Sequence, residues 1–390
     1  MAWGHRRALD PLIAAAAAYE RDHPDVRIVW DARPLQGFEF TPVAELARTH
    51  DLIVLDHPFM GEVAQSRCLM PLHSELPELV DRDFIGPSLA TYRYADALWA
   101  APVDAACQTA VYRPDLLERL GGRVPRSLPE VLALGVAARA EGLHLAIALA
   151  GVHALMTLFT LCAALGRPCA IEEHAPFAHP DTAREALALI RALLPHCPPE
   201  ALDWNSIAVH EAMVAREDLV YCPAVYCYLT YAEADMARPL RFADLPAVSS
   251  GQEPRGSTVG GAGIAISAHA QAPDAAVAFL RFLTRPDTQR AFAEHHGQPA
   301  HGDAWRDERI DARFGGAFSA VRRTMELSWT RPRWPGYLAL QAEGGRIVEA
   351  HLRGEVDDRD AISQLNRAAA ASRLGGAQPT RQLSRRPPHR

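Results

Sequence analysis

The chain contains no lysine: all 40 of its basic residues are arginine. Mechanisms that need an amine side chain are therefore excluded. A Walker A loop requires its Lys, pyridoxal phosphate requires a Schiff-base Lys, and the kinase phosphoryl-transfer template also needs one. No CxxC occurs among the seven cysteines at 68, 107, 162, 169, 197, 222 and 227. A zinc site of ordinary spacing is not expected, and unpaired thiols lean toward a reducing compartment. No GxSxG elbow is present. His210-Glu211 lacks the second His of a zincin helix. The GGAG at 260–263 lacks dinucleotide-loop spacing and opens a strand. No metal and no cofactor are expected, and no catalysis.

Positive charge is also in deficit, with a net charge of −7, so there is no general field for nucleic acid. The longest uncharged run, 143–165, is broken by His144, Gly151 and His153 and reads as strand, turn and buried helix. Near the N-terminus, Asp10, Pro11, Tyr19 and Glu20 interrupt what would be the apolar stretch of an export signal, so no signal peptide is read. Asp10 reads instead as an N-cap with Pro11 at the first helical position.

What is present is an ordinary globular balance. The chain has 390 residues, 49% hydrophobic and 22% charged, so a large core is available and disorder is excluded for most of it. The first half alternates helix and strand: helix 11–22, strand 26–30 (VRIVW), helix 42–49, strand 51–56 (DLIVLD). Short apolar strands between helices predict a mainly parallel α/β sheet covered on both faces. An extended segment at 98–113 leads to helices at 114–120 and 128–141. A second series follows, with strand 144–149, helices 154–165, 181–194 and 206–216, and strand-like residues 219–231. A glycine-bearing strand at 258–268 leads into helices that continue to about 372, broken at 328–337. Residues 373–390 carry five Arg and no acid and are expected to be a disordered basic tail.

Three stretches together resemble the extracellular solute-binding protein family of ABC importers, the maltose-binding-protein-like group. They are GGAGIAISAHAQAPDAAVAFLRFLTRPDTQRAFAEHHGQPA (260–300), LWAAPVDAACQTAVYRPDLLE (98–118) and WPGYLALQ (334–341). The resemblance implies a two-lobed periplasmic-binding-protein-like α/β fold, each lobe a mainly parallel sheet flanked by helices, joined by a multi-strand hinge. Lobe I would take 1–106 and 262–320, and lobe II 110–257 and 325–372. The crossings would lie near 104–112, 258–264 and 320–330. The implied activity is capture of a small polar solute, sugar or organic acid, in the interlobe cleft for an ABC transporter permease, by a monomer in the periplasm. The missing export signal leaves open a cytoplasmic ligand sensor on the same fold, and an enzyme on that fold is a third reading. The family's first strand is expected to be truncated or absent, since almost nothing precedes Trp3.

Candidate binding residues follow from position. Arg33 and Phe38 follow the strand at 26–30, and Asp56 and His57 follow the strand at 51–56, at the carboxyl ends where ligands of open α/β sheets sit. Arg33 offers a planar fork for a carboxylate or a pair of hydroxyls, weighed evenly against a surface ion pair. His57 is weighed against a turn residue before Pro58. His5 would suit an acidic solute, as would Arg33, His57 and Arg333. Asp104 and Gln108 lie on the crossing segment. His153 opens the buried helix, where a paired structural histidine is the more common outcome. Tyr226 and Tyr228 share a strand face and suit stacking on a planar or sugar-like solute, against a core-aromatic role. Arg333 and Tyr337 lie in the Pro-flanked break. Gly260, Gly261 and Gly263 suit a hinge, or a strand that another backbone approaches closely.

Overall fold

The computed structural model describes residues 1–33, 41–170 and 175–376. Phe38 and the tail beyond Gly376 lie outside the described residues. The first helix runs Arg6–Asp22, one turn earlier than Asp10 and Pro11 suggest. His5 is the N-cap, and its Nδ1 accepts from the Arg7 backbone N–H at 3.1 Å. Pro11 therefore sits inside the helix, where a missing N–H costs about 3 kcal/mol. The early start is held by tertiary bonds of Arg7, described below, and by a buried stripe of Ala8, Leu12, Ala15 and Tyr19 at helical spacing.

Ten strands occur among the described residues. They are β1 (Ala2–Trp3), β2 (Ala32–Arg33), β3 (Leu52–Leu55), β4 (Arg93–Tyr94), β5 (Ala97–Leu98), β6 (Ala101–Tyr112), β7 (His144–Leu145), β8 (Leu219–Tyr226), β9 (Arg241–Ala243) and β10 (Val259–Ile266). VRIVW joins no ladder; only β2, just after it, pairs in parallel with β1. Its Val26, Ile28 and Trp30 pack against an apolar core instead, so the segment is held by side chains and not by a ladder. The first strand is thus present, as two residues.

The main sheet runs β3-β10-β6-β8-β7, with β9 also on β6. It is mixed rather than mainly parallel. The β3/β10, β10/β6, β6/β8 and β6/β9 pairs are antiparallel, and only β7/β8 is parallel. The long crossing strands cause this, because they leave one half of the molecule and return in the opposite direction. β6 changes partners midway, pairing with β10 up to Cys107 and with β8 from Gln108. Beside that point Trp329 donates its N–H to Ser257 O at 2.7 Å, and Val259 donates to Trp329 O at 2.9 Å. Three chain segments therefore meet near 107, 258 and 329.

Two apolar cores flank this junction. One gathers Leu12, Phe59, Met60, Phe279, Trp305 and Phe318. The other gathers Leu155, Phe159, Ile190, Tyr337, Val348 and Leu365. Each such fully buried side chain contributes about 1.5–3 kcal/mol. Val209, Met213 and Leu229 pack into the first core, although Ala201, Val220 and Tyr221 from the same stretch of chain pack into the second. The last helix continues through Gly376. Arg373, expected in the tail, instead lies 4.6 Å from the centre of the Trp334 ring.

Candidate ligand-binding cleft

The cleft lies above the junction and has an empty space of about 810 Å³, mouth included. Its floor is Asp104, Ala106 and Gly260–Ala262 on the crossing strands. One wall carries Trp3, Arg7, Asp56, Pro58 and Phe59. The other carries Val152, His153, Met156, Ser206, Tyr226, Tyr228, Arg331, Leu338 and Gln341.

Two buried ion pairs dominate its chemistry. Arg7 grips Asp104 in a bidentate fork, with Nε to Oδ2 at 2.8 Å and Nη2 to Oδ1 at 2.5 Å, while Nη1 donates to Cys227 O at 2.8 Å. The guanidinium also lies 4.6 Å from the centre of the Tyr228 ring. Burial pushes the Asp104 carboxyl up, and Arg7 beside it pulls the other way. In the second pair Arg331 Nη2 donates to Asp56 Oδ2 at 2.5 Å, and Nη1 to Gln341 Oε1 at 3.0 Å. Against desolvation, which would raise it, Arg331 and His57 hold the Asp56 carboxyl well below the usual carboxylate range. Arg331 Nε is buried without a hydrogen-bond partner among the described residues.

The remaining polar groups are neutral. His153 lies near Ser206, Nδ1 to Oγ at 3.2 Å. Burial, with Arg331 nearby, lowers His153 to about 4, so its ring carries no charge at neutral pH. Ser206 and Gln341 add a hydroxyl and an amide.

Among the sequence candidates, the structure brings Asp56, Asp104, His153, Tyr226, Tyr228, Gly260 and Gly261 to the cleft. It places the others behind it or elsewhere. His57 is fully buried behind Asp56, Nδ1 to Oδ1 at 2.9 Å, and burial with Arg331 lowers it to about 4. His5 caps the first helix and meets the edge of Tyr228 at 5.0 Å. Gln108 faces away from the cleft into a buried network, accepting from Thr160 Oγ1 at 2.5 Å and donating to Thr157 Oγ1 at 3.3 Å. Arg33 lies on β2, outside the lining. Arg333 reaches Arg93 O at 2.9 Å and Ala90 O at 3.3 Å. Tyr337 is fully buried in the second core.

The glycines have packing reasons of their own. At Gly261, φ is +97° and a Cβ would stand 2.4 Å from Asp104 O. A Cβ on Gly260 would meet Tyr226 Cε1 at 2.8 Å, and one on Gly263 would meet Tyr92 Cζ at 2.7 Å. Sequence reasoning missed Trp3, Arg7, Arg331, Ser206 and Gln341. Arg331 and Arg333 flank one proline, and nothing in the sequence marks which turns inward. Arg7 was readable only from the helix start that Asp10 and Pro11 disguise.

The comparisons with known proteins agree with this architecture. A family model described as bacterial extracellular solute-binding protein matches residues 14–300. Maltose-bound MalE3 of T. maritima is 19% identical, with a TM-score of 0.77 over 93% of this chain and 96% of that one. A solute-binding protein of an ABC transporter from Agrobacterium radiobacter K84, in complex with ribitol, is 18% identical, with a TM-score of 0.77 over 94% and 96%. One from Thermotoga lettingae TMO, bound to alpha-D-tagatose, is 16% identical, with a TM-score of 0.77 over 94% and 95%. No curated protein sequence matches. On the family match over residues 14–300, this chain belongs to the bacterial extracellular solute-binding proteins, and it shares the fold of the solved proteins above.

Proposed function

We propose that the cleft captures a small, uncharged, hydroxyl-rich solute of the sugar or polyol class, and that the chain delivers it unchanged to an ABC permease. The reading includes a monomer acting outside the cytoplasm. It assigns lobe I to 1–106 and 262–320 and lobe II to 110–257 and 325–372, closing about the three crossings.

One observation carries the choice of an uncharged solute: each arginine in the cleft is already neutralised by its own aspartate. A carboxylate solute would have to displace Asp56 or Asp104 from its arginine, leaving a buried carboxylate unpaired. A hydroxylated solute instead meets Arg331 Nε as a donor, the His153 ring, Ser206 and Gln341 as neutral partners, and Tyr226, Tyr228, Trp3 and Phe59 as apolar faces. The solutes of the similar solved proteins, maltose, ribitol and tagatose, are of this class.

The test is calorimetry and thermal shift with matched pairs, such as ribitol against ribonate and glucose against gluconate. The neutral member is expected to bind at least tenfold more tightly. At 100 times its Kd it stabilises the fold by about 2.7 kcal/mol. Tighter binding of the acid would overturn the reading. Light scattering on the eluting peak checks the monomer.

A further inference from the structure

We propose that Cys107 and Cys227 are a disulfide-forming pair that ties the crossing strand under the cleft to the end of β8. The pair is set by strand register. Gln108 stands opposite Tyr226 in the antiparallel β6/β8 ladder, so the next residues outward are Cys107 and Cys227. Cys227 continues that pairing by donating its N–H to Cys107 O at 3.1 Å. Residues directly opposite in an antiparallel pair project their side chains to the same face, with Cα atoms about 4.5–5.5 Å apart. A disulfide spans about 4.4–6.8 Å between Cα atoms, the range in which such opposed residues stand. Each thiol influences the charge of the other, and both are fully buried.

The surroundings make the two sulfurs unequal. Gln298 Nε2 donates to Cys227 Sγ at 3.2 Å, and Arg7 lies close enough to favour negative charge there. Against burial, which acts the other way, Cys107 and Arg7 draw Cys227 down to about 7. Burial, reinforced by Cys227, pushes Cys107 well above the ordinary thiol range. The Gln298 amide and Arg7 favour a thiolate at Cys227, and because both sulfurs are sealed in the folded chain the exchange belongs to a partly open chain during folding.

With a small disulfide as oxidant, the Cys227 thiolate attacks one of its sulfurs, forms a mixed disulfide and expels one thiolate. The Cys107 sulfur then attacks Cys227 Sγ, gives its proton to solvent and expels the second thiolate. Two electrons pass from the protein dithiol to the small disulfide, which leaves as two thiols.

Disulfides persist in oxidising compartments, and the family acts extracellularly. The link would close a loop of about 120 residues, which strongly restricts the unfolded chain. It would also fix Tyr226 and Tyr228, on the cleft wall, against Ala106 on its floor. This inference does not depend on which solute binds.

The experiment refolds the full chain in a buffer of oxidised and reduced glutathione and caps remaining thiols by alkylation. Peptides are then mapped without reduction, with fragmentation separating Cys227 from Cys222. The expected result is a Cys107–Cys227 cross-linked peptide, with a melting temperature several degrees lower after reduction. In Cys107→Ser the linked peptide and the reduction-dependent shift both vanish. Recovery of Cys107 and Cys227 as alkylated thiols in natively folded wild-type protein would overturn the proposal. So would exclusive formation of another link, such as one between Cys162 and Cys169, where Cys162 likewise influences the charge of Cys169. Mapping the wild-type chain decides the matter even if the variant fails to fold.

Discussion

Truncating Arg331 would leave the Asp56 carboxylate at the cleft wall, one-fifth exposed, with His57 as its remaining side-chain neighbour. Breaking a buried pair costs more than the pair is worth, because the survivor keeps its desolvation cost. Arg331→Met is therefore expected to destabilise the fold by about 3 kcal/mol, and Arg331→Met/Asp56→Leu to recover most of the loss. Urea unfolding of the three proteins measures this, and an additive loss in the double variant would contradict it. Histidines set the pH response at the same scale. His5, His57, His153 and His210 are each lowered to about 4, burial being the first cause in every case. The unfolded chain takes up these protons near pH 6.5 and the folded chain only near 4. Between those values the unfolded state binds more protons, so stability falls as pH falls. Each fully buried histidine accounts for about 3 kcal/mol across the whole window. The urea midpoint is expected to be clearly lower at pH 5 than at pH 7, and equal midpoints would refute the burial of neutral rings.

The elements show which part of the fold was legible and why. Helices such as Pro180–Leu193 and Pro273–Leu283 announce themselves by a proline start and helical spacing of buried residues, which are local signals. Strand direction is not local. The antiparallel course of β3, β10, β6 and β8 depends on which distant segment lies alongside, and alternation with helices wrongly suggested a mainly parallel sheet. The candidate site divides the same way. Asp56, Asp104 and His153 follow from standing at a strand end, on a crossing and at a helix start. Arg7 and Arg331 become visible only once their carboxylate partners are placed in space. The glycine strand was legible as special, but its first requirement is close packing. Gly261→Ala must place a side chain at φ +97° and 2.4 Å from the Asp104 carbonyl. Gly121→Ala, also at positive φ but with open space around it, bears only the backbone strain. The first substitution is expected to cost at least 2 kcal/mol more than the second, because the clash adds to about 1–2 kcal/mol of left-handed strain common to both. Similar unfolding midpoints in the two variants would mean that β6 yields easily at this point.

At the scale of the molecule, the two cores are joined by more than the crossing strands. Arg331, just beyond the third crossing, bonds Asp56 at the end of β3, and Arg333 bonds the carbonyls of Ala90 and Arg93. The Arg333 carbonyl is so close to helix Met60–Ser66 that a Cβ on Gly61 would clash with it. On the proposed hinge, a rotation that opens the cleft would have to break such contacts, which assigns them to the closed form. A solute can favour closure only by binding the closed form more tightly than the open one. Arg333 offers a clean test, since it bridges the two sides without lining the cleft. Arg333→Ala is expected to raise the radius of gyration of the solute-free chain by favouring the open form. It is expected to weaken solute binding only through the closing equilibrium, by about tenfold or less, which is up to about 1.4 kcal/mol. Saturating solute then returns the variant to the wild-type radius. Small-angle scattering with and without solute, on both proteins, follows each step. Identical radii in all four samples, with binding confirmed by calorimetry, would rule out hinged closure.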